Sequence, residues 1–535
     1  MSAEPAQAFL PETTQTIRQM IERQAARYGS RPFVRTADGA LTYAELDEVA
    51  NRGANLLLGL GYGSGDVVMA RCLNSLPMLA TWLGCVKLGA VFMPVNSMLL
   101  GESLRSVMSH AAGGVVVCQS PLYSALAEVR NELPALRDVL VAGGDVPSGC
   151  VSFDALLERA SSSPPPLPPR DPAAPARLMY TSGTTGRPKG VIWSRTAETL
   201  HAICYGDELV RVNEGETVYS CLPLFHATCQ GTLLGTLWRG GRIAIDIAFD
   251  PFRFWSRIRA EGAVFFPYVG TIVSVLGKRP RRADDADNPV RRIMGSAAPA
   301  DTWRMFEERY ALTIEDVWGQ TETASCWTRP SSSPAPPGTV GRATERFEAR
   351  ICDENGNEVA RGEAGEMWIR PRAAHIVFEG YFRDEGGTAG MWTADGWYRT
   401  GDQMRQHDDG DFVFIGRLRD AIRRRGEMIA PVEIEQAALG HPDVLEAAAV
   451  ATPAPTGVED EVKLCVVLQP GVELDSAALY RYLKERLPAF MLPRYIGMYA
   501  EFPKTPTTRI QKYRLREDGV DGAWDSQSRR RPIRR

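Results

Sequence analysis

The glycine-rich segment at residues 178–191, which reads LMYTSGTTGRPKGV, constrains this chain more than any other feature. Its three glycines let the backbone turn tightly and approach a ligand closely. Its hydroxyl side chains can donate to phosphate oxygens, and its lysine adds a mobile positive charge. Together with exposed backbone N–H groups, this composition predicts a phosphate cradle. The residues predicted to bind phosphate are Thr181, Ser182, Gly183, Thr184, Thr185 and Lys189.

The alternative for this segment is a flexible surface turn. A short Gly/Thr turn alone would favour that alternative, but a run of this length and order, entered from an apolar strand, favours the cradle. The segment is not the common nucleotide loop Gly-x-x-x-x-Gly-Lys-Ser/Thr, because no Ser or Thr follows the lysine. A second glycine-rich segment, residues 59–65, lacks the Gly-x-Gly-x-x-Gly spacing, so we interpret it as a turn and not as a dinucleotide site.

Through about the first four hundred residues, short β-rich runs alternate with amphipathic helical stretches, a pattern typical of parallel sheets covered by helices. The predicted strands include residues 66–70, 114–118, 242–247, 263–267 and 312–317, and the predicted helices include residues 43–58 and 103–110. A chain of 535 residues is too long for one hydrophobic core. We therefore predict an α/β fold, with a large N-terminal α/β domain whose sheets are covered by helices and a small C-terminal α+β domain.

Several segments mark boundaries along the chain. Residues 161–176 read SSSPPPLPPRDPAAPA, which can form neither a helix nor a central strand and therefore link two subdomains or form a surface loop. Asp353-Glu-Asn-Gly356 is typical of a hairpin turn. The small domain should contain a helix at 431–439, strands at 446–452 and 461–468, and a helix at 476–487. We assign residues 1–417 to the large domain, 418–520 to the small domain and 521–535 to a disordered basic tail, for which a docking element is the alternative.

Composition and cysteine spacing argue against several classes of protein. The net charge of −4 gives no indication of a nucleic-acid partner. None of the ten cysteines forms a Cys-x-x-Cys pair, which favours reduced cysteines in a cytoplasmic protein. The N-terminus lacks the basic start and apolar run of a signal peptide. The most membrane-like stretch, residues 76–95, is interrupted by Lys87 and closed by Pro94, so we expect a buried helix followed by a buried strand.

Residues 180–190 resemble the signature of the adenylate-forming superfamily, which contains acyl-CoA synthetases, luciferases and peptide-synthetase adenylation domains. The similarity extends over nearly the whole chain, and the chain looks most like acyl-CoA ligases. Further motifs match in the family's order: LPLFH at 222–226 for the acyl pocket and thiol tunnel, GSAAP at 295–299 for AMP, VWGQTE at 317–322 for adenine and magnesium, GWYRTGD at 396–402 for ribose, and GRLRDAI at 416–422 with PVEIE at 431–435 for the hinge and the mobile domain.

The resemblance implies a reaction in two halves. A carboxylate first attacks the α-phosphorus of ATP and expels pyrophosphate; a thiol then attacks the acyl-adenylate and expels AMP. Glu322 is implied as a catalytic residue and, with Thr184, as a ligand of Mg²⁺. Asp402 is implied to accept hydrogen bonds from the ribose hydroxyls, and Arg417 to contact the same region. The other residues implied to bind the nucleotide or coenzyme A are Gly295, Ser296, Ala297, Asp316, Val317, Trp318, Gly319, Gln320, Thr321 and Gly426.

Some of these roles have structural alternatives. Trp318 can stack on adenine, or it can be a buried core tryptophan. The family's pattern makes His226 a catalytic residue that lines the acyl pocket as a gate, whereas an isolated histidine would more often be structural. The resemblance places Arg419 at the hinge and Gly426 beside the pantetheine tunnel. The consecutive arginines 423–425 either meet the phosphates of coenzyme A or form a solvated basic strand edge.

One catalytic position departs from the family's pattern. The family reads Pro-x-Thr-x-Thr-Gly-Lys-Ile-x-Lys near the C-terminus, and this chain reads PKTPTTRIQK at 503–512. Arg509 therefore replaces the lysine that acts in adenylation only, and Thr508 replaces the glycine beside it. Because arginine is bulkier, planar and forked, the change threatens the first half-reaction and spares the second. The alternatives are that Arg509 still works, or that Lys504 or Lys512 reaches the site.

We therefore expect an acyl-CoA synthetase that ligates a carboxylic acid to coenzyme A through an acyl-adenylate, with a bias to thioester formation. Its expected partners are the acid or its adenylate, ATP or AMP, Mg²⁺, coenzyme A and, with that bias, a separate adenylating enzyme. The alternatives are an adenylating enzyme that loads a carrier protein in trans, a luciferase-like oxygenase and a non-catalytic acyl-adenylate-binding protein. Small residues within the predicted acyl pocket, at 224–231, 266–271 and 295–299, suggest room for a bulky acid.

Overall fold

The structure of the protein, a computed structural model, describes residues 16–181, 188–298, 300–331, 335–424, 427–429, 431–454, 460–504 and 510–528. Two large sheets with helices packed on them form most of the N-terminal part, and smaller sheets follow toward the C-terminus. This architecture confirms the predicted α/β class, with a large N-terminal domain and a small C-terminal domain.

The strands of the described residues are β1 (Pro32–Thr36), β2 (Gly39–Thr42), β3 (Val67–Arg71), β4 (Val91–Pro94), β5 (Val115–Gln119), β6 (Asp138–Ala142), β7 (Val151–Ser152), β8 (Pro175–Thr181), β9 (Lys189–Ser194), β10 (Thr217–Ser220), β11 (Arg242–Ile245), β12 (Ala263–Val269), β13 (Arg292–Ser296), β14 (Thr313–Asp316), β15 (Thr328–Arg329), β16 (Arg342–Ala343), β17 (Phe347–Cys352), β18 (Ala364–Pro371), β19 (Gly380–Tyr381), β20 (Tyr398–Gln406), β21 (Phe412–Arg417), β22 (Ile422–Arg424), β23 (Glu427–Ile429), β24 (Val444–Pro453), β25 (Asp460–Leu468), β26 (Tyr495–Tyr499) and β27 (Trp524–Asp525).

The α-helices of the same residues are α1 (Ile17–Tyr28), α2 (Tyr43–Gly59), α3 (Leu76–Leu88), α4 (Gly101–Ala111), α5 (Tyr123–Val129), α6 (Phe153–Arg159), α7 (Arg195–Cys204), α8 (Ala227–Arg239), α9 (Phe254–Glu261), α10 (Gly270–Lys278), α11 (Ala300–Tyr310), α12 (Glu385–Ala389), α13 (Pro431–Leu439), α14 (Ser476–Lys484) and α15 (Lys512–Glu517).

The first large sheet has seven strands within the described ranges, in the order β14-β13-β12-β10-β11-β1-β2. All neighbouring strands in it are parallel except β1 and β2. The strands predicted at 242–247, 263–267 and 312–317 are its β11, β12 and β14, with ends that differ by no more than two residues. Because parallel strands end along one edge of a sheet, the segments that follow β12, β13 and β14 lie side by side.

The second large sheet has eight strands among the described residues, in the order β19-β9-β8-β4-β3-β5-β6-β7. The neighbours from β8 to β7 are parallel, and the strands predicted at 66–70 and 114–118 are its β3 and β5. Strands β8 and β9 form an antiparallel hairpin, and the two-residue β19 extends the sheet beyond β9. Thr181 and Lys189, the first and last residues of the predicted phosphate cradle, lie on β8 and β9 at this edge of the sheet.

Helices α2 and α3 show how the local sequence determines where helices begin and which of them are buried. The hydroxyl of Thr42 accepts the backbone N–H of Glu45, and the Glu45 carboxylate accepts the backbone N–H of Thr42, so a capping box begins α2 where the sequence predicts it. Residues 76–95 form the buried helix α3 and then β4, as expected. In the part of the chain that the structure describes, no helix is long and apolar enough to cross a membrane.

An antiparallel sheet of β17, β18, β20 and β21 follows the two large sheets. The predicted turn at its first hairpin is present, since the backbone N–H of Gly356 donates to the carbonyl of Asp353 at 3.1 Å. Strand β20 carries Asp402 and pairs it directly with Arg417 on β21. This sheet therefore brings together two residues of the predicted ribose site.

The C-terminal unit has a sheet of its own, in the order β24-β25-β26-β27, and a separate core that includes Ile434, Leu464 and Leu479. Helix α14 ends at Lys484, three residues before the predicted end at 487, and Pro488 follows, which cannot continue a helix. The Lys278 ammonium at the end of α10 donates to the Val444 carbonyl of β24 at 2.5 Å. This contact joins the C-terminal unit to the large domain.

The prediction of a disordered tail at 521–535 was wrong for residues 521–528, which the structure describes. Trp524–Asp525 forms β27, which pairs with β26, and the Asp525 carboxylate lies 3.5 Å from Arg494. An apolar tryptophan that can pack on Tyr480 at a ring distance of 5.4 Å explains why the chain is held here. The arginine-rich residues 529–535 lie outside the described residues.

Candidate active site

Strands β8 and β9 position the predicted phosphate cradle. Thr181 and Lys189 are directly paired, so the segment between them connects two antiparallel strands at one end of the sheet. The Lys189 ammonium lies 4.3 Å from the centroid of the Tyr381 ring. The cradle residues Ser182, Gly183, Thr184 and Thr185 lie outside the described residues.

The predicted AMP loop begins where β13 ends, with Gly295, Ser296 and Ala297. A Cβ atom on Gly295 would lie 2.0 Å from the carbonyl oxygen of Tyr268, so the close approach of β13 to β12 requires glycine there. Ala297 adopts a left-handed backbone conformation with φ of 64°. The next residue is fixed by Asp316, whose carboxyl accepts the Ala298 N–H at 3.1 Å.

Asp316 is buried, and its other carboxyl oxygen accepts the hydroxyl of Tyr268. Burial raises the pKa of Asp316 to about 8, although the backbone N–H groups of Ala298 and Ala297 act in the opposite direction. The carboxyl is therefore protonated at neutral pH. These contacts give Asp316, which was predicted to bind the nucleotide, a position from which it holds the AMP loop in place.

Replacement of Asp316 by asparagine should change stability in a pH-dependent way. The free energy of unfolding of the variant, relative to that of wild type, should be higher at pH 7 than at pH 5. The wild-type carboxyl loses its proton on unfolding at every pH between about 4 and 8, so wild-type stability falls as pH rises through that range. The amide has no proton to lose; its oxygen can accept the Ala298 N–H, and its NH2 can donate to the Tyr268 oxygen. At about 1.4 kcal/mol per pH unit, the difference should grow by about 3 kcal/mol between pH 5 and pH 7. Urea unfolding of both proteins at the two pH values measures it, and a difference independent of pH would contradict the neutral carboxyl.

Asp402 receives contacts from three other predicted site residues. Its Oδ2 accepts the indole N–H of Trp318 at 2.7 Å and the side-chain amide of Gln320 at 2.6 Å. The Arg417 Nε lies 2.7 Å from its Oδ1. The carboxylate is only 1% exposed, and Trp318 is 4% exposed. Burial of Trp318 and its bond to Asp402 favour the buried-tryptophan alternative over adenine stacking.

One carboxylate oxygen of Asp402 has no aligned hydrogen-bond donor among the described residues. Among the described residues, Oδ1 accepts no aligned hydrogen bond, although Arg417 lies beside it. The Arg417 side chain is 33% exposed, whereas the Asp402 side chain is 2% exposed. A buried carboxylate oxygen without an aligned donor is costly, and a sugar hydroxyl is a donor that would satisfy it. The site thus fits a ribose.

The rest of the adenine motif is held mainly through its backbone. The Val317 N–H donates to the Gly295 carbonyl at 2.9 Å, which ties the motif to the AMP loop. The Thr321 carbonyl accepts the indole N–H of Trp193 at 2.7 Å. A Cβ on Gly319 would lie 3.3 Å from Trp327, so this segment packs closely on the core.

Glu322 is the predicted magnesium ligand, and Tyr381 holds it. The Tyr381 hydroxyl donates to Glu322 Oε1 at 3.1 Å, and burial and the nearby Glu322 raise the pKa of Tyr381. No group of three or more His, Cys, Asp or Glu side chains gathers anywhere in the described ranges. A single carboxylate fits Mg²⁺, which usually takes one or two protein carboxylates and otherwise binds substrate phosphates and water. Sequence analysis missed Tyr381, since a Gly-Tyr pair carries no spacing signal.

His226 directly precedes α8 in the predicted acyl pocket, and its ring packs on Phe225 at 4.9 Å between centroids. Two glycines of this pocket, Gly231 and Gly270, were predicted to leave room for a bulky acid, but they do not. A Cβ on Gly231 would lie 2.4 Å from the imidazole of His201, and one on Gly270 would lie 2.0 Å from the Ala297 carbonyl oxygen. Neighbouring atoms already fill these positions, so the inference of a bulky acid from small residues was wrong at these glycines.

The consecutive arginines of the C-terminal unit are not equivalent. Arg424 is buried, donates to the carbonyls of Phe490 and Leu492, and pairs with Glu461 at 2.7 Å. Its guanidinium is occupied within the unit, so neither alternative, a contact with coenzyme A phosphates or a solvated strand edge, holds for Arg424. The predicted positions Arg425, Gly426, Thr508 and Arg509, and the side chains of Arg419 and Arg423, lie outside the described residues.

Both lysines that could replace the missing catalytic lysine are already paired. The Lys504 ammonium lies 2.6 Å from the Glu446 carboxylate, and the Lys512 ammonium lies 2.6 Å from the Glu435 carboxylate. Each partner belongs to the C-terminal unit itself. In this conformation both ammonium groups are engaged within that unit.

Sequence models of the AMP-binding enzyme and of the AMP-binding enzyme C-terminal domain match residues 21–382 and 433–509. The chain is 31% identical over 517 residues to the sulfoacetate–CoA ligase of Cupriavidus necator. The alignment covers 94% of this chain and 98% of that protein. The two models and this relative thus span nearly the whole chain.

Solved structures agree in architecture. ATP-bound MatB from Rhodopseudomonas palustris superposes with a TM-score of 0.84 at 26% identity, over 95% of this chain and 99% of that one. The anthranilate CoA ligase AuaEII in complex with anthranoyl-AMP superposes with a TM-score of 0.86 at 23% identity, over 94% and 97% of the two chains. At 23% identity, the similarity to AuaEII shows a shared fold.

Proposed function

This chain belongs to the AMP-binding enzyme family of adenylate-forming enzymes, and we propose that it is an acid–CoA ligase that forms an acyl-CoA through an acyl-adenylate. The observation that carries the proposal is the contact of Trp318, Gln320 and Arg417 with the buried carboxylate of Asp402. Two parts of the chain, the adenine motif and the β20–β21 hairpin, converge there, and the Asp402 oxygen that they leave without an aligned donor suits a ribose hydroxyl. The relatives described above are CoA ligases, which supports coenzyme A as the acceptor of the acyl group.

In the proposed reaction the nucleotide lies across the carboxyl ends of β13 and β14. Asp402 binds the ribose, Arg417 covers it, and the AMP loop supplies backbone groups to the base and phosphate. Asp316 keeps this loop in place through Ala298. A site formed beyond the carboxyl ends of parallel strands is the usual position for a ligand in such sheets.

Lys189 and Glu322 act on the triphosphate. Lys189 contributes positive charge beside the cradle, and Glu322, with Thr184, would hold Mg²⁺. When bound, Mg²⁺ would neutralise negative charge on the triphosphate while the bond from the α-phosphorus to the pyrophosphate oxygen breaks. Lys189 then stabilises the charge that develops on the departing pyrophosphate, because a preformed positive group acts most strongly where charge appears in the transition state.

The second half-reaction needs the nucleotide site but not the adenylation lysine. We propose that Arg509 supports adenylation poorly and that thioester formation is spared. The pairing of Lys504 with Glu446 and of Lys512 with Glu435 supports this, because it removes two substitutes for the missing lysine in this conformation. A separate adenylating enzyme would then supply the acyl-adenylate.

Lys189→Ala should weaken binding of Mg·ATP while leaving AMP binding nearly unchanged. The proposal assigns this ammonium to the phosphates that AMP lacks, and the loss of a hydrogen bond to a charged group costs about 1.5–3 kcal/mol. Titration calorimetry with both nucleotides measures the effect, with Lys484→Ala, an exposed lysine of α14, as the matched control. Equal affinity of wild type and Lys189→Ala for Mg·ATP would contradict the phosphate assignment.

A further inference from the structure

Tyr381 contacts both residues that the proposed function assigns to the triphosphate. The Lys189 ammonium lies over its ring, 4.3 Å from the centroid, and its hydroxyl donates to Glu322 Oε1 at 3.1 Å. Tyr381 itself is 7% exposed. One buried side chain therefore contacts both the Lys189 ammonium from β9 and the Glu322 carboxylate from the adenine motif.

The position of Tyr381 is set by the fold on several sides. Strand β19 pairs with β9, which places Tyr381 opposite Val191, two residues from Lys189. Its backbone N–H donates to the hydroxyl of Thr388 at 2.8 Å. Its ring packs on Phe378 at 5.2 Å between centroids, with planes at 61°. A ring held by strand pairing, a hydrogen bond and aromatic packing is a rigid support.

The same support extends to the ribose site. Phe378 also packs on Tyr398 at 5.4 Å, and the Tyr398 hydroxyl donates to Gln320 Oε1 at 3.2 Å. The amide of Gln320 donates in turn to Asp402 at 2.6 Å. The triphosphate residues and the ribose carboxylate are thus held by one connected set of aromatic side chains.

We propose that Tyr381 is a positioning residue for the triphosphate: its ring holds the Lys189 ammonium, and its hydroxyl orients the Glu322 carboxylate. The inference rests on the proposed function and adds a residue to it. A lysine side chain has many rotamers, and fixing it before the ligand arrives lowers the entropic cost of binding. A cation over an aromatic ring is attracted without losing its hydrogen-bond donors to a carboxylate. A hydrogen bond to one oxygen leaves the other carboxylate lone pairs for a metal ion.

Two substitutions separate the two contacts. Tyr381→Phe keeps the ring and removes the hydroxyl, so binding of ATP in the presence of Mg²⁺ should weaken about threefold to tenfold. Binding of ATP with a chelator present should be unchanged in this variant. Tyr381→Leu also removes the ring, so binding should weaken about threefold to tenfold further, with or without Mg²⁺. AMP affinity should stay within about twofold in both variants, because AMP lacks the phosphates concerned.

The measurement is titration calorimetry with ATP, ATP plus Mg²⁺, and AMP. Tyr62→Phe is the matched control, because Tyr62 is also buried and its hydroxyl also donates to a carboxylate, that of Asp138 on β6. Five strands lie between β6 and β19 in the same sheet. Thermal unfolding shows whether each variant is folded. If Tyr381→Leu does not fold, Tyr381→Phe still decides the role of the hydroxyl.

A double-mutant comparison tests the positioning role of Tyr381 separately from the proposed triphosphate site. In a Glu322→Gln background, Tyr381→Phe should have no further effect on Mg²⁺-dependent binding. If Glu322→Gln and Lys189→Ala weaken ATP binding but the Tyr381 variants do not, the positioning role is wrong and the proposed site stands. Equal losses for AMP and ATP would show a merely structural role and overturn the inference. If Glu322→Gln and Lys189→Ala have no effect either, the assigned triphosphate site is wrong, and the inference with it.

Discussion

Asp402→Ala should weaken AMP binding about tenfold to hundredfold, because the carboxylate is the acceptor on which the proposed nucleotide site depends. A lost hydrogen bond to a charged group costs about 1.5–3 kcal/mol, and ribose can donate two. The substitution also leaves Arg417 without its partner at 2.7 Å and removes the acceptor for Trp318 and Gln320. These donors would then have to be hydrated inside a buried site.

Calorimetry with AMP, or with a non-hydrolysable acyl-adenylate analogue, measures this loss. Asp395→Ala is the matched control, since Asp395 is an exposed aspartate seven residues away that accepts a hydrogen bond from Thr393. Both variants should be checked by thermal unfolding. Full-strength AMP binding by a folded Asp402→Ala protein would remove the assigned ribose role.

Arg509→Lys should raise acid-dependent ATP–pyrophosphate exchange on the order of a hundredfold, the factor that a displacement of about 1 Å can cost at a reacting centre. Lysine is a compact charge on a flexible stem, and arginine is a planar fork that places its charge differently. Thr508, in place of the family's glycine, restricts the neighbouring backbone, so the double change Thr508→Gly with Arg509→Lys should exceed the single one.

The same substitutions should hardly affect the second half-reaction. Arg509→Ala is expected to form thioester from a supplied acyl-adenylate and coenzyme A at nearly the native rate. Lys504→Ala and Lys512→Ala are the controls for substitute lysines. Each is paired with a glutamate 2.6 Å away, so neither change should lower whatever exchange the native protein shows.

Motif order made much of this site predictable, and hydrophobic patterning also predicted β14, the strand that Asp316 ends. Asp316 ends β14, Lys189 begins β9, and Asp402 and Arg417 lie on adjacent strands. Contacts between motifs were not predictable. Tyr381 reaches Glu322, 59 residues earlier in the chain, only because a two-residue strand pairs with β9, and so short a strand has no periodicity to detect.

Residue type also proved ambiguous where packing decides the role. Gly231 and Gly270 could have left space for a substrate or allowed close packing, and the atoms within 2.4 Å and 2.0 Å of their missing Cβ positions show the second. The run of arginines at 423–425 has one composition, but strand alternation turns Arg424 inward onto Glu461. Trp524 looked like part of a charged tail, yet it pairs with β26. Only the neighbours supplied by the fold distinguish these cases.

The most direct test follows the two half-reactions separately on the native protein. A panel of short aliphatic, sulfonated and aromatic carboxylic acids would be offered as free acids with Mg·ATP, and as acyl-adenylates with coenzyme A. We expect slow or absent pyrophosphate exchange with the free acids and efficient acyl-CoA formation from at least one adenylate. Robust exchange by the native protein would show that arginine suffices and that the enzyme is an ordinary two-step ligase. Absence of acyl-CoA from every adenylate would contradict the proposed ligase activity itself.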